Sequence, residues 1–150
     1  MTDTIPTWRS HLIQDAEGIR RVIEQTRRIA VLGIKTRESA QPAYYVPEYV
    51  QQAGFEIVPV PVYYPDVTEI LGERVYRRIA DIPGEIDLVN VFRRSGDIPK
   101  HLDDILAKRP RAVWFQLGIR NDITAERLAR EGIDVVQDHC LMVELQRLGR

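Results

Sequence analysis

The stretch Arg28-Ile29-Ala30-Val31-Leu32-Gly33-Ile34-Lys35 decides which fold the chain can adopt. Its continuous apolar run, residues 29–32, is typical of a strand that is buried on both faces of a parallel sheet. Gly33 ends this run, and Pro42 suits the first turn of a following helix, because proline has no amide proton to leave unsatisfied there. A strand, a glycine loop and a helix in this order predict the first turn of a nucleotide-binding α/β unit.

Length and composition are those of an ordinary globular domain. The 150 residues are enough for a sizeable core, and 44% of them are hydrophobic and 29% charged. The formal net charge of -1 argues against a general nucleic-acid or membrane-surface binder, since both need a net basic face. A single cysteine fits a reducing compartment. Residues 1–7 are interpreted as a polar leader without an apolar signal core, so a cytoplasmic location is expected.

Predicted strands and helices alternate along the whole chain. The apolar periodicity predicts helices over residues 8–26, 42–53, 98–108, 124–131 and 140–148 and strands over residues 29–32, 55–62, 86–92, 112–117 and 133–136. This alternation predicts an α/β fold, a single doubly wound and mostly parallel sheet with helices on both faces. Residues 1–25 are interpreted as a leader and a helix packed on a domain that spans residues 26–150.

The signals after the second predicted strand are weaker. Pro59 and Pro61 have no amide protons, so the pairing of this strand is expected to fade near its carboxyl end. A short helical turn is expected over residues 66–71 and a brief edge strand over residues 74–76.

Ligands of doubly wound parallel sheets bind outside the carboxyl ends of the strands. The candidate site therefore comprises the loops after Leu32, Val60, Val91 and Leu117.

The loop that begins at Gly33 has the chemistry of a phosphate site. Glycine lets the backbone approach a phosphate, and the following helix offers free amide groups and the positive end of its dipole. Lys35 and Arg37 add positive charge, and Ser39 adds a hydroxyl. The dinucleotide pattern has three glycines, whereas this loop has one, so a simple tight turn stays open as the alternative.

The residues that follow the next two predicted strands indicate which kind of nucleotide the site could bind. Dinucleotide folds place Asp or Glu after the second strand, whereas this chain has no carboxylate there before Asp66, which argues against NAD. Tyr63 and Tyr64 either flank an adenine or cover the sheet edge. Arg93 and Arg94 suit phosphates, because guanidinium groups bind phosphate with two hydrogen bonds, although a solvated turn is the alternative.

Four segments carry a family pattern. They are Ile29-Ala30-Val31-Leu32-Gly33, Ile82-Pro83 with Asp87-Leu88-Val89-Asn90-Val91-Phe92-Arg93-Arg94, Val113-Trp114-Phe115-Gln116-Leu117-Gly118-Ile119-Arg120-Asn121, and Val135-Val136-Gln137-Asp138-His139-Cys140. Together they resemble the small stand-alone CoA-binding domain family, a Rossmann-type fold related to the CoA-binding domain of succinyl-CoA synthetase α subunits. The resemblance runs from about Thr26 to Leu148.

The resemblance implies CoA or an acyl-CoA as the ligand. It implies that the phosphates lie on the loop after the first strand and that two further loops receive the adenine end. The residues implied in binding are Gly33, Ile34, Lys35, Thr36, Ser39, Pro42, Pro61, Val62, Tyr63, Phe92, Arg93 and Arg94. The chain departs from the family at three places. Lys35 stands where serine is common, Pro61-Val62 where asparagine–proline is common, and His139 where arginine is frequent.

The sequence offers one candidate for catalysis, Asp138-His139-Cys140, in which a histidine beside a thiol suggests a nucleophile. Adjacent residues rarely point at each other, so Cys140 is interpreted as a packing residue, and no catalytic or metal site is assigned. His11 and His101 are interpreted as surface residues. The function expected is non-catalytic binding of CoA or an acyl-CoA.

Two alternative functions stay open. One is a small enzyme or an NAD(P)-binding oxidoreductase relative that uses the same crevice. The other is an interaction scaffold that has lost its ligand. No nucleic-acid or membrane partner is expected, and a homodimer through the first and last helices or another protein partner stays open.

Overall fold

The computed structural model describes residues 7–150 and contains eight strands and five α-helices. The strands are β1 (Leu12–Ile13), β2 (Arg28–Leu32), β3 (Glu56–Val60), β4 (Glu69–Ile70), β5 (Glu73–Arg74), β6 (Leu88–Val91), β7 (Ala112–Phe115) and β8 (Asp134–Val136). The helices are α1 (Ala16–Glu24), α2 (Pro42–Gln52), α3 (Leu102–Lys108), α4 (Asp122–Arg130) and α5 (Leu141–Arg147). Six strands form a parallel sheet of order β1-β8-β7-β6-β2-β3. The predicted α/β fold is confirmed.

Helices cover both faces of this sheet, which explains why its central strands are apolar throughout. Every residue of β6 and β7 is buried, as expected for strands with a core on each side. One core contains Ile23 of α1, Val50 of α2 and Leu145 of α5. The other contains Ile105 of α3 and Leu128 of α4. The sheet is therefore doubly wound, as predicted.

The order of the strands reverses beside β2. The chain goes from β2 through α2 to β3 on one side, and then returns to place β6, β7 and β8 on the other side. The loops after β2 and β6 consequently leave the sheet toward opposite faces, and a crevice opens between them at the carboxyl ends of the strands. This switch point lies where the sequence places its candidate phosphate loop.

The predicted helix over residues 8–26 is wrong in its first half. Residues Thr7–His11 form a 3-10 helix, β1 follows, and α1 begins only at Ala16. Helix α1 begins there because the side chain of Asp15 accepts a hydrogen bond from the amide of Gly18 at 2.8 Å. β1 pairs with β8 and adds an edge strand that the apolar periodicity did not predict. Residues 1–6 of the predicted leader lie outside the described residues.

Two shorter predictions are also corrected. The expected helical turn over residues 66–71 is instead part of a β4–β5 hairpin, in which Leu71 and Gly72 have φ angles of 56° and 76°. Two consecutive positive φ angles are the signature of the tight turns that join antiparallel strands. In the predicted helix over residues 98–108, the first part is 3-10 as far as His101, since Pro99 cannot donate an α-helical hydrogen bond.

The prediction that pairing of the second predicted strand fades near its carboxyl end is wrong at Pro59 but confirmed at Pro61, since β3 ends at Val60. Val31 pairs with Pro59 and Leu32 with Val60, so β3 stays in register to its end. β3 is an edge strand, and the carbonyl of Pro59 accepts a hydrogen bond from the Tyr76 amide at 2.9 Å on the outer side. The nitrogen of Pro59, which carries no proton, therefore faces away from β2. No hydrogen bond between β2 and β3 is lost because of it.

Candidate functional site

A cleft of about 420 Å³ opens at the switch point. Its lining residues come from the loop after β2 with the start of α2, from the loop after β6 and from the loop after β7. They are Lys35, Gln41, Pro42, Ala43, Phe92, Arg93, Arg94, Ser95, Gly118 and Ile119, and we call this site the carboxyl-edge cleft. The volume lies within the range of small-molecule sites, roughly 300–1,000 Å³.

Gly33 joins the first two of these loops. Its φ angle is +85°, and a β-carbon added to it would lie 3.1 Å from the carbonyl carbon of Phe92 and 3.2 Å from Cδ of Arg93. A side chain is therefore excluded by both conformation and space. Among the described residues, no acceptor bonds the amides of Ile34 and Thr36 in the loop that follows. The loop thus offers amide groups at a site where an anion is expected.

Lys35 lies across the start of α2. Its amide donates to the carbonyl of Ala43 at 3.1 Å, which fixes the loop to the helix. Its ammonium donates to Oε1 of Gln41 at 2.6 Å. The first helical residue is Pro42, as the sequence predicts, and the side chain of Gln41 makes no capping hydrogen bond to the helix. A lysine charge and the positive end of the α2 dipole therefore lie at one wall of the cleft.

Arg93 is the most deeply buried charge of the cleft, with 8% of its surface exposed. Its Nε donates to Nε2 of His101 at 3.1 Å, and its Nη1 donates to the hydroxyl of Tyr63 at 3.5 Å. The one carboxylate within 4 Å among the described residues is that of Asp97, at 3.8 Å, and this carboxylate also pairs with Lys100 at 3.3 Å. The guanidinium charge of Arg93 is thus only partly neutralised by the protein.

Titratable groups beside Arg93 respond to this charge. The hydrogen bond from Arg93 and then its charge hold the pKa of Tyr63 below its ordinary value. Burial lowers the pKa of His101, and the charges of Arg93 and Lys100 lower it further. The contribution of Arg93 to both shifts indicates a positive potential at this edge of the cleft, because its charge favours the tyrosinate and disfavours the protonated imidazole.

Comparison with known proteins identifies the family of the chain. The profile of a CoA binding domain matches residues 27–146, a segment that includes every residue lining the carboxyl-edge cleft. The chain belongs to the CoA-binding domain family.

Relatives of this CoA-binding domain protein share most of its length. The protein named uncharacterized protein YneT, from Bacillus subtilis (strain 168), is 34% identical over 125 residues, which are 83% of this chain and 90% of YneT. The structure of cell-free ID.343 from Thermus thermophilus is 37% identical with a TM-score of 0.81, over 90% of this chain and 99% of that one. A hypothetical protein from Pyrococcus horikoshii OT3 is 26% identical with a TM-score of 0.82, over the whole of both chains.

The structure of this CoA-binding domain protein brings five of the twelve predicted binding residues together. Those five are Lys35, Pro42, Phe92, Arg93 and Arg94, which all line the carboxyl-edge cleft. Gly33 and Ile34 are buried beside it. Tyr63 lies outside the lining and reaches the cleft only through Arg93.

The other four predicted residues lie elsewhere. Thr36 lines a separate groove of about 580 Å³ between α2 and the β4–β5 hairpin, which we call the hairpin groove. The hydroxyl of Ser39 accepts a hydrogen bond from the Gln41 amide at 3.3 Å and shapes the loop. Pro61 is buried and Val62 is exposed, and neither lines the cleft.

Six residues that sequence reasoning missed belong to the site or support it. Five of them line the cleft: Gln41, Ala43, Ser95, Gly118 and Ile119. Gly118 and Ile119 belong to the loop after Leu117, which was predicted as part of the site, although these two residues were not singled out. The sixth is His101, whose interpretation as a surface residue is wrong, because its ring is half-buried against Arg93. A histidine at the end of a 3-10 helix carries no pattern that reveals such a contact.

The segment Asp138-His139-Cys140 makes separate contacts. The carboxylate of Asp138 accepts from the Gly118 amide at 2.6 Å, which ties the loop after β8 to the cleft. Nδ1 of His139 lies 3.1 Å from Oε2 of Glu144. Cys140 immediately precedes α5 and packs against the core. Within residues 7–150, the side chains of His139 and Cys140 make no hydrogen bond with each other.

The helices within residues 7–150 lack the length and the apolar composition that a membrane span requires.

Proposed function

We propose that this protein binds CoA or an acyl-CoA in the carboxyl-edge cleft and catalyses no reaction on it. The observation that carries the proposal is Arg93, a guanidinium with 8% exposure whose nearest described carboxylate lies 3.8 Å away. A buried charge without a close counter-charge is costly, and an anionic group of a ligand would supply the missing neutralisation. A phosphate beside Arg93 is the arrangement that the charge of the site favours.

Other groups of the cleft fit the parts of CoA. The ammonium of Lys35 and the exposed guanidinium of Arg94 offer donors to a diphosphate. Phe92 and Ile119 give the cleft an apolar wall on which an adenine ring or a pantetheine chain can pack. The family to which the chain belongs makes CoA the first choice among phosphate-containing ligands.

The hydroxyl in the cleft lining supports a binding role without catalysis. Ser95 is the one lining residue with a hydroxyl, and its Oγ accepts a hydrogen bond from the Arg120 amide at 3.2 Å. A serine nucleophile needs a neighbouring base to take its proton, and no histidine or carboxylate within the described residues bonds this hydroxyl. The cleft therefore offers sites for anions and apolar groups, and its hydroxyl has no activating base.

The same proposal includes the setting of the protein. A single cysteine fits a cytoplasmic protein, and a formal net charge of -1 fits one that is not a general nucleic-acid or membrane-surface binder. The positive potential is local to the cleft, which fits a nucleotide better than a nucleic acid or a membrane surface.

Isothermal titration calorimetry with CoA tests this proposal. We expect saturable binding that weakens by about tenfold or more in Arg93→Met, because a charge-assisted hydrogen bond to the ligand is lost. Arg111→Ala is the control, since Arg111 is exposed and immediately precedes β7, at the amino-terminal ends of the strands, opposite the cleft. NAD serves as the comparison ligand and is expected to bind more weakly. Equal affinity for NAD, or no heat with CoA at millimolar concentration, would contradict the proposal.

A further inference from the structure

The contact between Arg93 and His101 defines the protonation state of the imidazole. Nε of Arg93 carries a hydrogen and donates it to Nε2 of His101 at 3.1 Å. A protonated imidazole has hydrogens on both nitrogens and accepts none, so this geometry requires a neutral His101 with its proton on Nδ1. The free protein thus holds a buried cation against an imidazole that is kept neutral.

Every charged group around His101 can be named. Arg93 faces it from the loop after β6, and Lys100 and Asp97 belong to the 3-10 helix that ends at His101. Asp97 lies within 4 Å of both cations, at 3.3 Å from the Lys100 ammonium and 3.8 Å from Arg93.

On the α3 side, Asp104 accepts hydrogen bonds from the amides of Ile79 and Ala80 at 2.7 and 2.9 Å and lies 3.8 Å from Arg78. Tyr63 approaches from the loop after β3 and contacts Arg93. The charges of Asp104 and Asp97 raise the pKa of His101, but both carboxylates have other partners, and burial together with Arg93 and Lys100 outweighs them.

We propose that His101 takes up a proton from solvent when an anionic group of the ligand binds beside Arg93, so that ligand binding is coupled to pH. The inference rests on the proposed function and adds a regulatory property to the same site. The proton goes to Nε2, the hydrogen bond from Arg93 to this nitrogen breaks, and the guanidinium gains a free donor for the ligand. The ligand anion beside Arg93 then faces a guanidinium and a protonated imidazole, where the free protein offers the guanidinium and a neutral imidazole.

Thermodynamic linkage fixes the direction of the effect. An anion near His101 favours the charged imidazole, and the protonated imidazole therefore favours the anion by the same factor. Affinity is expected to rise as the pH falls through the His101 midpoint of the bound protein. It levels off below the midpoint of the free protein, which lies under the ordinary value of 6.5 because burial and Arg93 lower the pKa of His101.

The first test is an NMR titration of the wild-type histidine side chains against pH, with and without saturating CoA. The chain has three histidines, and His101→Gln assigns the signal. The proposal predicts that CoA moves the His101 midpoint upward by roughly one pH unit. An unchanged or lowered His101 midpoint in the CoA-bound protein overturns the inference and leaves CoA binding itself intact.

The second test is calorimetry of CoA binding at one pH in two buffers of different ionisation enthalpy. The wild type and His11→Gln are expected to take up a fraction of a proton per CoA, and His101→Gln is expected to take up less. The ligand is the same in all three, so titration of its own phosphate cancels. Equal proton uptake in His101→Gln overturns the inference alone. Absence of CoA binding to the wild type overturns both this inference and the proposed function.

Discussion

Gly33 and the main-chain carbonyl of Phe92 are in direct contact across the switch point of the sheet. A β-carbon on Gly33 would lie 3.1 Å from the carbonyl carbon of Phe92. The amide of Gly33 donates a hydrogen bond to the carbonyl of Val60 at 2.9 Å, and the amide of Phe92 donates one to the carbonyl of Leu32 at 2.8 Å. The glycine therefore brings the loops after β2 and β6 together, and the carboxyl-edge cleft is built on this contact.

This contact predicts a large stability loss in Gly33→Ala. The free energy of unfolding is expected to fall by about 2–4 kcal/mol, because the left-handed backbone costs an alanine about 1–2 kcal/mol and the Phe92 backbone must also move. Gly118→Ala is the control, since Gly118 has a φ angle of +84° but open space around its α-carbon. It is expected to lose only about 1–2 kcal/mol. Urea unfolding measures both, and equal losses would contradict the close approach.

Asp87 is predicted to anchor the start of β2. Its Oδ2 accepts hydrogen bonds from the amides of Arg27 and Arg28 at 3.0 and 2.9 Å. Asp87→Ala leaves both amides without their acceptor, so the unfolding free energy is expected to fall by about 1–3 kcal/mol. The control is Asp103→Ala, an exposed position in the first turn of α3, with an expected loss of about 0.5 kcal/mol. Similar values for the two variants in urea unfolding would argue against this role.

The stability of the free protein is predicted to fall in mild acid through His101. Burial and the charges of Arg93 and Lys100 lower the pKa of His101, so the unfolded chain binds the proton more readily. Stability from the neutral imidazole is fully present above about pH 6.5 and is lost as the pH falls through the lower value of the folded state. Melting temperatures from about pH 7.5 to about pH 5 should therefore fall more steeply in the wild type than in His101→Gln. An equal fall of the melting temperature in the two proteins would contradict a neutral His101 imidazole in the folded protein.

Lys35 is predicted to strengthen ligand binding as a mobile charge at the α2 terminus. Lys35→Ser introduces a small hydroxyl side chain and removes the ammonium that now donates to Gln41. The affinity for CoA is expected to fall by about tenfold, and its salt dependence is expected to weaken, because one ion pair with a phosphate is lost. Arg37→Ser removes an equal charge from the hairpin groove and should change affinity much less. Tighter binding by Lys35→Ser would mean that the lysine blocks the loop.

The sequence predicted the parts of the fold that depend on buried periodicity. β2, α2, β6 and β7 are long apolar or amphipathic runs with clear ends, and the structure confirms each of them. The short elements escaped prediction because pairing partners, which a local pattern does not contain, stabilise them. β1 has two residues and exists through its register with β8, and β3 tolerates Pro59 because its outer edge carries the proline nitrogen.

The candidate site was predictable where it lies on the first residues after a strand. Lys35 and Phe92 follow β2 and β6 closely, so strand prediction alone places them at the cleft. Tyr63 and Thr36 were predicted by the same reasoning, but the backbone turns away within a few residues of the strand end, so neither lines the cleft and their part in binding stays a prediction. His101 was missed because its contact with Arg93 depends on how a 3-10 helix packs, and no sequence periodicity reports such packing.

Two-dimensional ¹H–¹⁵N NMR of the protein titrated with CoA tests the central claim most directly, because each amide reports its own surroundings. Binding in the carboxyl-edge cleft predicts saturable shifts of the amides of Lys35, Arg94, Ser95 and Gly118, with little change at Asp87 and Arg111 at the opposite, amino-terminal ends of the strands. No shift at millimolar CoA, or shifts confined to the hairpin groove around Glu69 and Gly72, would contradict the claim.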